Sequence, residues 1–287
     1  MARDPSLSKS ENRSAAAVDD GLRRANAAME NRHPDKAERI AREMLATDPG
    51  QPRVLHLLGL ALLAQGRAGD AVVPLTEASH ARGDAMVETH LGIALRQAGR
   101  IPDAMSALKR AIERQPAFPF AFHELGVMLL AQRRLVEAEA VVRRGLDVAP
   151  GMPELSVLLG GVLLDRGDRN NAKVAFARAL ANAPQSPGAL YGLGAALMDD
   201  GEFARAAERF RQALARDPSY AQAGVSLGIC LLELGHRKEA LMHLRAVAKV
   251  GPQFYAKALR ALASSAHGQF WLKPSDAAAF LDSGPSG

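Results

Sequence analysis

The chain has 287 residues, 48% of them hydrophobic and 23% charged, with aromatics at only 5% and one cysteine, Cys230. Such a composition favours helices packed through small aliphatic side chains, and it excludes an intramolecular disulfide framework and a thiol cluster for metal. The formal charge of +5 is the difference between 36 basic and 31 acidic residues, a balance that describes a solvated surface better than a nucleic-acid footprint.

In chain order, residues 1–17 are rich in Ser and charge, lack the apolar run of a secretory signal, and are expected to be disordered. No run of about 18 apolar residues follows anywhere, so the reading is a cytoplasmic protein without membrane insertion, in a reducing compartment. From residue 18 onward the chain repeats itself. Gly59, Gly92, Gly126, Gly160, Gly194 and Gly228 lie 33 and then 34 residues apart, each directly after a Leu. Ala71, Ala104, Ala138, Ala172, Ala206 and Ala240 keep the same spacing, and Pro116, Pro150, Pro184, Pro218 and Pro252 recur every 34 residues.

Within one repeat, Leu125, Val127, Met128 and Leu129 mark a first helix, and Ala138, Val141, Val142 and Leu146 a second. The small residue after each Leu lets the two helices approach closely, and the Pro, which has no amide to donate, stops the second. Each repeat therefore predicts a helical hairpin. The phase gives repeats at 52–84, 85–118, 119–152, 153–186, 187–220 and 221–254. A degenerate seventh at 18–51 precedes them, with Ala25, Ala28, Ala37 and Pro49 in the shared places and Arg24 replacing the Leu. A lone helix over 255–267 is expected to cap the apolar end of the stack. The tail, 268–287, combines Phe270, Trp271 and Leu272 with Ser275 as the N-cap of a short helix. It is expected to fold back over the capping helix, with a partner or a neighbouring copy as the alternative.

The Leu, Gly, Ala and Pro places resemble the tetratricopeptide repeat, a motif of 34 residues. The aromatic places of that motif depart: an aromatic stands at the first only in Phe122, and the later Phe place is Phe only at Phe176 and Phe210. The resemblance implies an all-α, right-handed superhelical solenoid whose first helices line a concave face through the second, fifth, sixth, ninth, twelfth and thirteenth places of each repeat. Those places give a partner-binding groove of His56, Leu60, Leu63, Met86, His90, Ile93, Phe120, His123, Val127, Leu158 and Tyr191. No clear repeat has Lys at the fifth place or Asn at the ninth, which argues against a clamp for a peptide carboxylate.

Candidate chemistry is sparse. His56, His90 and His123 fall at inner places of successive repeats, but neighbouring helices lie about 8 to 10 Å apart, too far for three rings to share a metal at about 2.1 Å. Asp199 and Asp200 fit a solvated turn, and Cys230 fits a buried small hydrophobe with no His spaced to activate it. The expectation is a non-catalytic scaffold without cofactor or metal, holding an apolar or amphipathic protein segment, with self-association open and nucleic acid disfavoured. The alternative is an accessory subunit of an enzyme or membrane complex, docking through its convex face or tail.

Overall fold

The computed structural model describes the backbone of residues 5–264 together with Ser275 and Ala278; the tail readings at Phe270, Trp271 and Leu272 lie outside the described residues. Among the described residues there are fifteen helices and no strand. The chain divides into two compact units, residues 1–132 and 133–287. The N-terminal unit holds α1 (Pro5–Glu30), α2 (Pro34–Thr47), α3 (Pro52–Ala64), α4 (Ala68–Arg82), α5 (Ala85–Gln97), α6 (Ile101–Glu113) and α7 (Pro119–Ala131). The C-terminal unit holds α8 (Leu135–Val148), α9 (Pro153–Asp165), α10 (Arg169–Asn182), α11 (Pro187–Asp199), α12 (Phe203–Arg216), α13 (Ala221–Glu233), α14 (Arg237–Ala248) and α15 (Pro252–Ser264). The architecture is all-α, built from repeated helical hairpins.

The hairpins close for a reason that the Gly ladder states in advance. A side chain added at Gly92 would meet Leu108 at 2.6 Å, one at Gly160 would meet the Phe176 ring at 2.6 Å, and one at Gly228 would meet Leu244 at 2.6 Å. In each hairpin the facing residue lies sixteen positions downstream of the Gly; the same relation joins Gly59 to Leu75 and Gly194 to Phe210. A large side chain on the second helix thus fills the hole left on the first. In the degenerate hairpin the two equivalent places are Ala25 and Ala41, both fully buried: the large partner shrinks where the Gly has gained a methyl.

The turns carry a ladder of their own. The fifteenth place of every repeat has positive φ, with Gly66, Gly99, Gly167, Gly201 and Gly235 between 74° and 81°, Arg32 at 60° and Arg133 at 59°. Glycine adopts this left-handed conformation without cost, whereas a side chain adds about 1–2 kcal/mol. The two Arg positions mark turns that the repeat geometry imposes against local preference. Several helices begin on Pro at their first position, where no amide is needed, as at Pro34, Pro52, Pro119, Pro153 and Pro187.

Two boundaries differ from the sequence reading. Helix α1 begins at Pro5, inside the segment expected to be disordered; Ala15, Ala16 and Ala17 have the highest helix propensity and extend it upstream of the first repeat. Pro252, expected to end the last second helix, instead opens α15. The connection from α14 is correspondingly short, and Phe254, Ala258, Ala261 and Leu262 of α15 are buried with α13 and α14. Residues 265–267 of the expected capping helix lie outside the described residues.

Polar ties run from one repeat to the next at a recurrent pair of places. In the N-terminal unit Gln65 Nε2 donates to Glu38 Oε2 at 2.7 Å, and Gln132 Nε2 lies 3.1 Å from Met105 Sδ. In the C-terminal unit the same places pair Arg166 with Glu139, and Lys173 Nζ with Asp200 Oδ2 at 2.6 Å. Asp200 is therefore more than a solvated turn residue, since Lys173 holds its carboxyl below the ordinary Asp range. The chemistry changes from step to step while the geometry does not.

Candidate functional site

In the N-terminal unit the first helices α3, α5 and α7 carry nine of the eleven expected groove residues. His56 on α3 and His90 on α5 meet directly: His56 Nε2 and His90 Nδ1 are 2.8 Å apart, and the rings stack with centroids 5.0 Å apart. This corrects the spacing argument made from sequence for that pair, because two imidazoles reaching toward each other span the gap between neighbouring helices. One ring donates and the other accepts, so the accepting ring at least is neutral. Burial pushes the His90 imidazole below its ordinary range, opposed by the charge of Asp84. No group of three or more metal-ligating side chains occurs among the described residues, so the third imidazole, His123, is elsewhere engaged.

His123 Nδ1 lies 3.4 Å from Glu124 Oε1, an electrostatic contact that leaves the buried ring nitrogen without a hydrogen bond. Glu124 also accepts from Arg96 Nη2 at 3.1 Å. His123 and Arg96 hold its carboxyl below the ordinary Glu range despite burial.

An aromatic run continues from the imidazole pair. The His90 ring meets the edge of Phe118 at 6.2 Å, and Phe118 lies 5.6 Å from Phe120. Phe120 is 50% exposed and Met86 39% exposed, which leaves apolar surface in water at the second place of two successive repeats. Beside them a cleft of about 270 Å³ opens, lined by Leu22, Asn26, Arg53, His56, Leu57, Leu60 and Met86. Leu63, Ile93 and Val127 are half-buried. The structure thus brings His56, Leu60 and Met86 to one cleft and His90 and Phe120 to the aromatic run.

In the C-terminal unit the expected residues have a different environment. Leu158 is buried, and it contributes to packing more than to a surface. Tyr191 is half-buried between Phe210, at 5.6 Å, and Tyr220, at 5.1 Å; burial pushes the Tyr220 hydroxyl up to about 12. A second cleft of about 260 Å³ lies between α13 and α15, with Val225, Ile229 and Leu232 as its apolar wall and Lys257 and Arg260 on the other side. Sequence reasoning reached Val225 and Ile229 as inner places and missed only the basic side of this cleft, because Lys257 and Arg260 stand outside the period that identified those places. Cys230 is fully buried, and burial pushes its thiol up to about 12, so no thiolate forms near neutral pH.

No helix among the described residues is long and apolar enough to cross a membrane. No curated protein matches the chain in sequence. Among solved structures, the Cut9 and Hcn1 hetero-tetramer of the APC/C superposes with a TM-score of 0.69 at 16% identity, covering 83% of this chain and 48% of that one. The chain therefore spans about half the length of that relative. PilF of Pseudomonas aeruginosa gives a TM-score of 0.63 at 19% identity over 72% of this chain and 95% of its own. A tetratricopeptide repeat protein from Parabacteroides merdae gives 0.65 at 13% identity, with 92% and 98% covered. At these identities the likeness is one of fold. Family models described as tetratricopeptide repeat match residues 22–83, 90–153 and 157–221, and a further one matches 197–263: the chain belongs to the tetratricopeptide repeat family.

Proposed function

We propose that this chain is a non-catalytic scaffold that holds an apolar or amphipathic segment of another protein against the first helices of its hairpins. Tetratricopeptide repeats generally serve protein interaction, and the finer assignment rests on one observation. Met86 and Phe120 keep 39% and 50% of their surface in water beside the aromatic run and the adjacent cleft. A folded chain gains nothing from such wet apolar surface, and contiguous patches of this kind mark contact sites. The imidazole pair suits the same role, because one nitrogen of each ring is already hydrogen-bonded to the other when a partner excludes water. His56, Leu60, Leu63, Ile93, His123 and Val127 complete the contact surface of the N-terminal unit, with Leu158 and Tyr191 marginal members in the C-terminal unit.

The test is affinity capture from the native cell, followed by binding measurements with the captured partner. Phe120→Glu and Met86→Glu each introduce a charge on exposed side chains that the hairpin does not need for folding. Each is expected to weaken binding by about tenfold or more, the scale of a central apolar contact. Reversal of Arg143 and Arg144 on α8 is expected to leave it within about twofold. The opposite pattern, loss only with the α8 variants, would favour docking through the outer face.

A further inference from the structure

The contact of His56 with His90 ties two successive first helices through one hydrogen bond whose acceptor can be protonated. His56 is 8% exposed and His90 is half-buried; the bond is 2.8 Å long and the rings stack. His56 also lines the cleft beside Leu22, Leu57 and Met86, so the tie stands at the edge of the exposed apolar surface.

Two imidazoles joined nitrogen to nitrogen keep their bond with no extra proton or with one, because one ring can donate as an imidazolium while the other accepts through a lone pair. A second proton occupies that lone pair. Two imidazolium rings at this distance then repel each other where burial already disfavours charge.

The surrounding charges offer the second proton little relief. Asp84, the N-cap of α5, favours a proton on His90, but burial outweighs it. Phe118 presents only an apolar ring to His90. Asp19 of α1 is held by Arg53 of α3 at 2.7 Å. Glu38 of α2 and Asp70 of α4 are tied to Arg67, beyond the end of α3. Glu88 of α5 receives Arg110 of α6, and Glu124 of α7 faces His123 and Arg96.

We propose that the His56 and His90 pair is a pH-sensitive tie between α3 and α5, closed while it carries at most one extra proton and opened by the second, which parts the rings and reshapes the cleft that His56 lines. Release of a bound segment on acidification rests on the contact surface proposed above; the tie itself does not. The unfolded chain offers two separate imidazoles that both take protons below about pH 6.5. The folded pair resists the second proton, so its stabilisation is present above that value and is lost progressively as pH falls below it.

Ring-nitrogen NMR of the full-length chain tests the tie without any partner, with His56→Gln and His90→Gln assigning the signals. The expected result is a coupled titration, its lower step about one pH unit or more below the ordinary histidine value of about 6.5. In each variant the surviving imidazole should titrate in a single step. Hydrogen exchange gives a second readout. Between about pH 7.5 and about pH 5.5, after correction for the intrinsic rate, protection of α3 and α5 is expected to fall about tenfold while α9 and α11 keep theirs. His90→Gln should abolish that pH dependence. Two independent titrations near the ordinary value in the unaltered chain would overturn the proposal, and so would an equal pH-dependent loss of protection in His90→Gln.

Discussion

The two units solve the same packing problem with different materials. In the N-terminal unit the residues facing the Gly ladder are the aliphatic Leu75 and Leu108, and the polar ties converge on buried carboxylates. Glu38 is 6% exposed and receives Gln65, Arg67 and Arg42; Glu88 is 2% exposed and receives a two-pronged Arg110, with Arg114 at 3.7 Å. Burial pushes the Glu38 carboxyl up, but its hydrogen bonds and the two guanidinium charges outweigh that and hold it below the ordinary range. In the C-terminal unit the facing residues include the rings of Phe176 and Phe210, and polar ties such as Lys173 with Asp200 and Arg211 with Glu239 lie nearer to water. One geometry thus tolerates either aromatic filling with exposed charge pairs or aliphatic filling with buried ones, and each choice has its own point of failure.

The largest effect belongs to the aromatic filling. The Phe176 ring is wedged between Gly160 on α9 and Gly192 on α11, and a Cβ at either would collide with it. A rigid ring with a glycine on each side has nowhere to rotate, so Gly192→Ala is expected to cost about 3 kcal/mol in denaturant unfolding. Gly92→Ala in the N-terminal unit should cost less, about 1–2 kcal/mol, because Leu108 can change rotamer. Equal costs at the two sites would erase the distinction between ring and aliphatic filling.

Next in size is the loss of a guanidinium from a buried carboxylate. Arg110→Ala leaves Glu88 with only the more distant Arg114, and the expected destabilisation is about 2–3 kcal/mol. Arg211→Ala, which removes a pair with both side chains at least 35% exposed, is expected to stay within about 1 kcal/mol. Urea midpoints of the two variants measured side by side make the comparison, and a cost at Arg211 matching that at Arg110 would contradict it.

The smallest effect is a gain. Arg133 holds a left-handed turn that five other hairpins give to Gly, and Arg133→Gly is expected to stabilise by about 0.5–1 kcal/mol, reduced by loss of its exposed pair with Asp165. Gly167→Ala, the reverse change at the equivalent turn, should destabilise by about 1 kcal/mol. Thermal melts of both variants check the sign, which must be opposite at the two positions.

What the sequence determined by itself is whatever recurs at a fixed interval. Three phased ladders were enough to place the hairpins, since a Gly hole, a buried Ala and a chain-breaking Pro at constant spacing leave few ways to fold. The left-handed turn at the fifteenth place was legible as a Gly in five repeats and hidden at Arg32 and Arg133, where the tertiary frame imposes the conformation on residues that do not prefer it. The inner places could be counted but not ranked. Periodicity treats Leu158 and Phe120 alike, yet one is buried and the other half in water, because exposure depends on the length of neighbouring side chains across the gap between helices. The same limit hid the meeting of His56 and His90: helix spacing predicts their Cα separation, and only the rotamers decide that two rings close the distance.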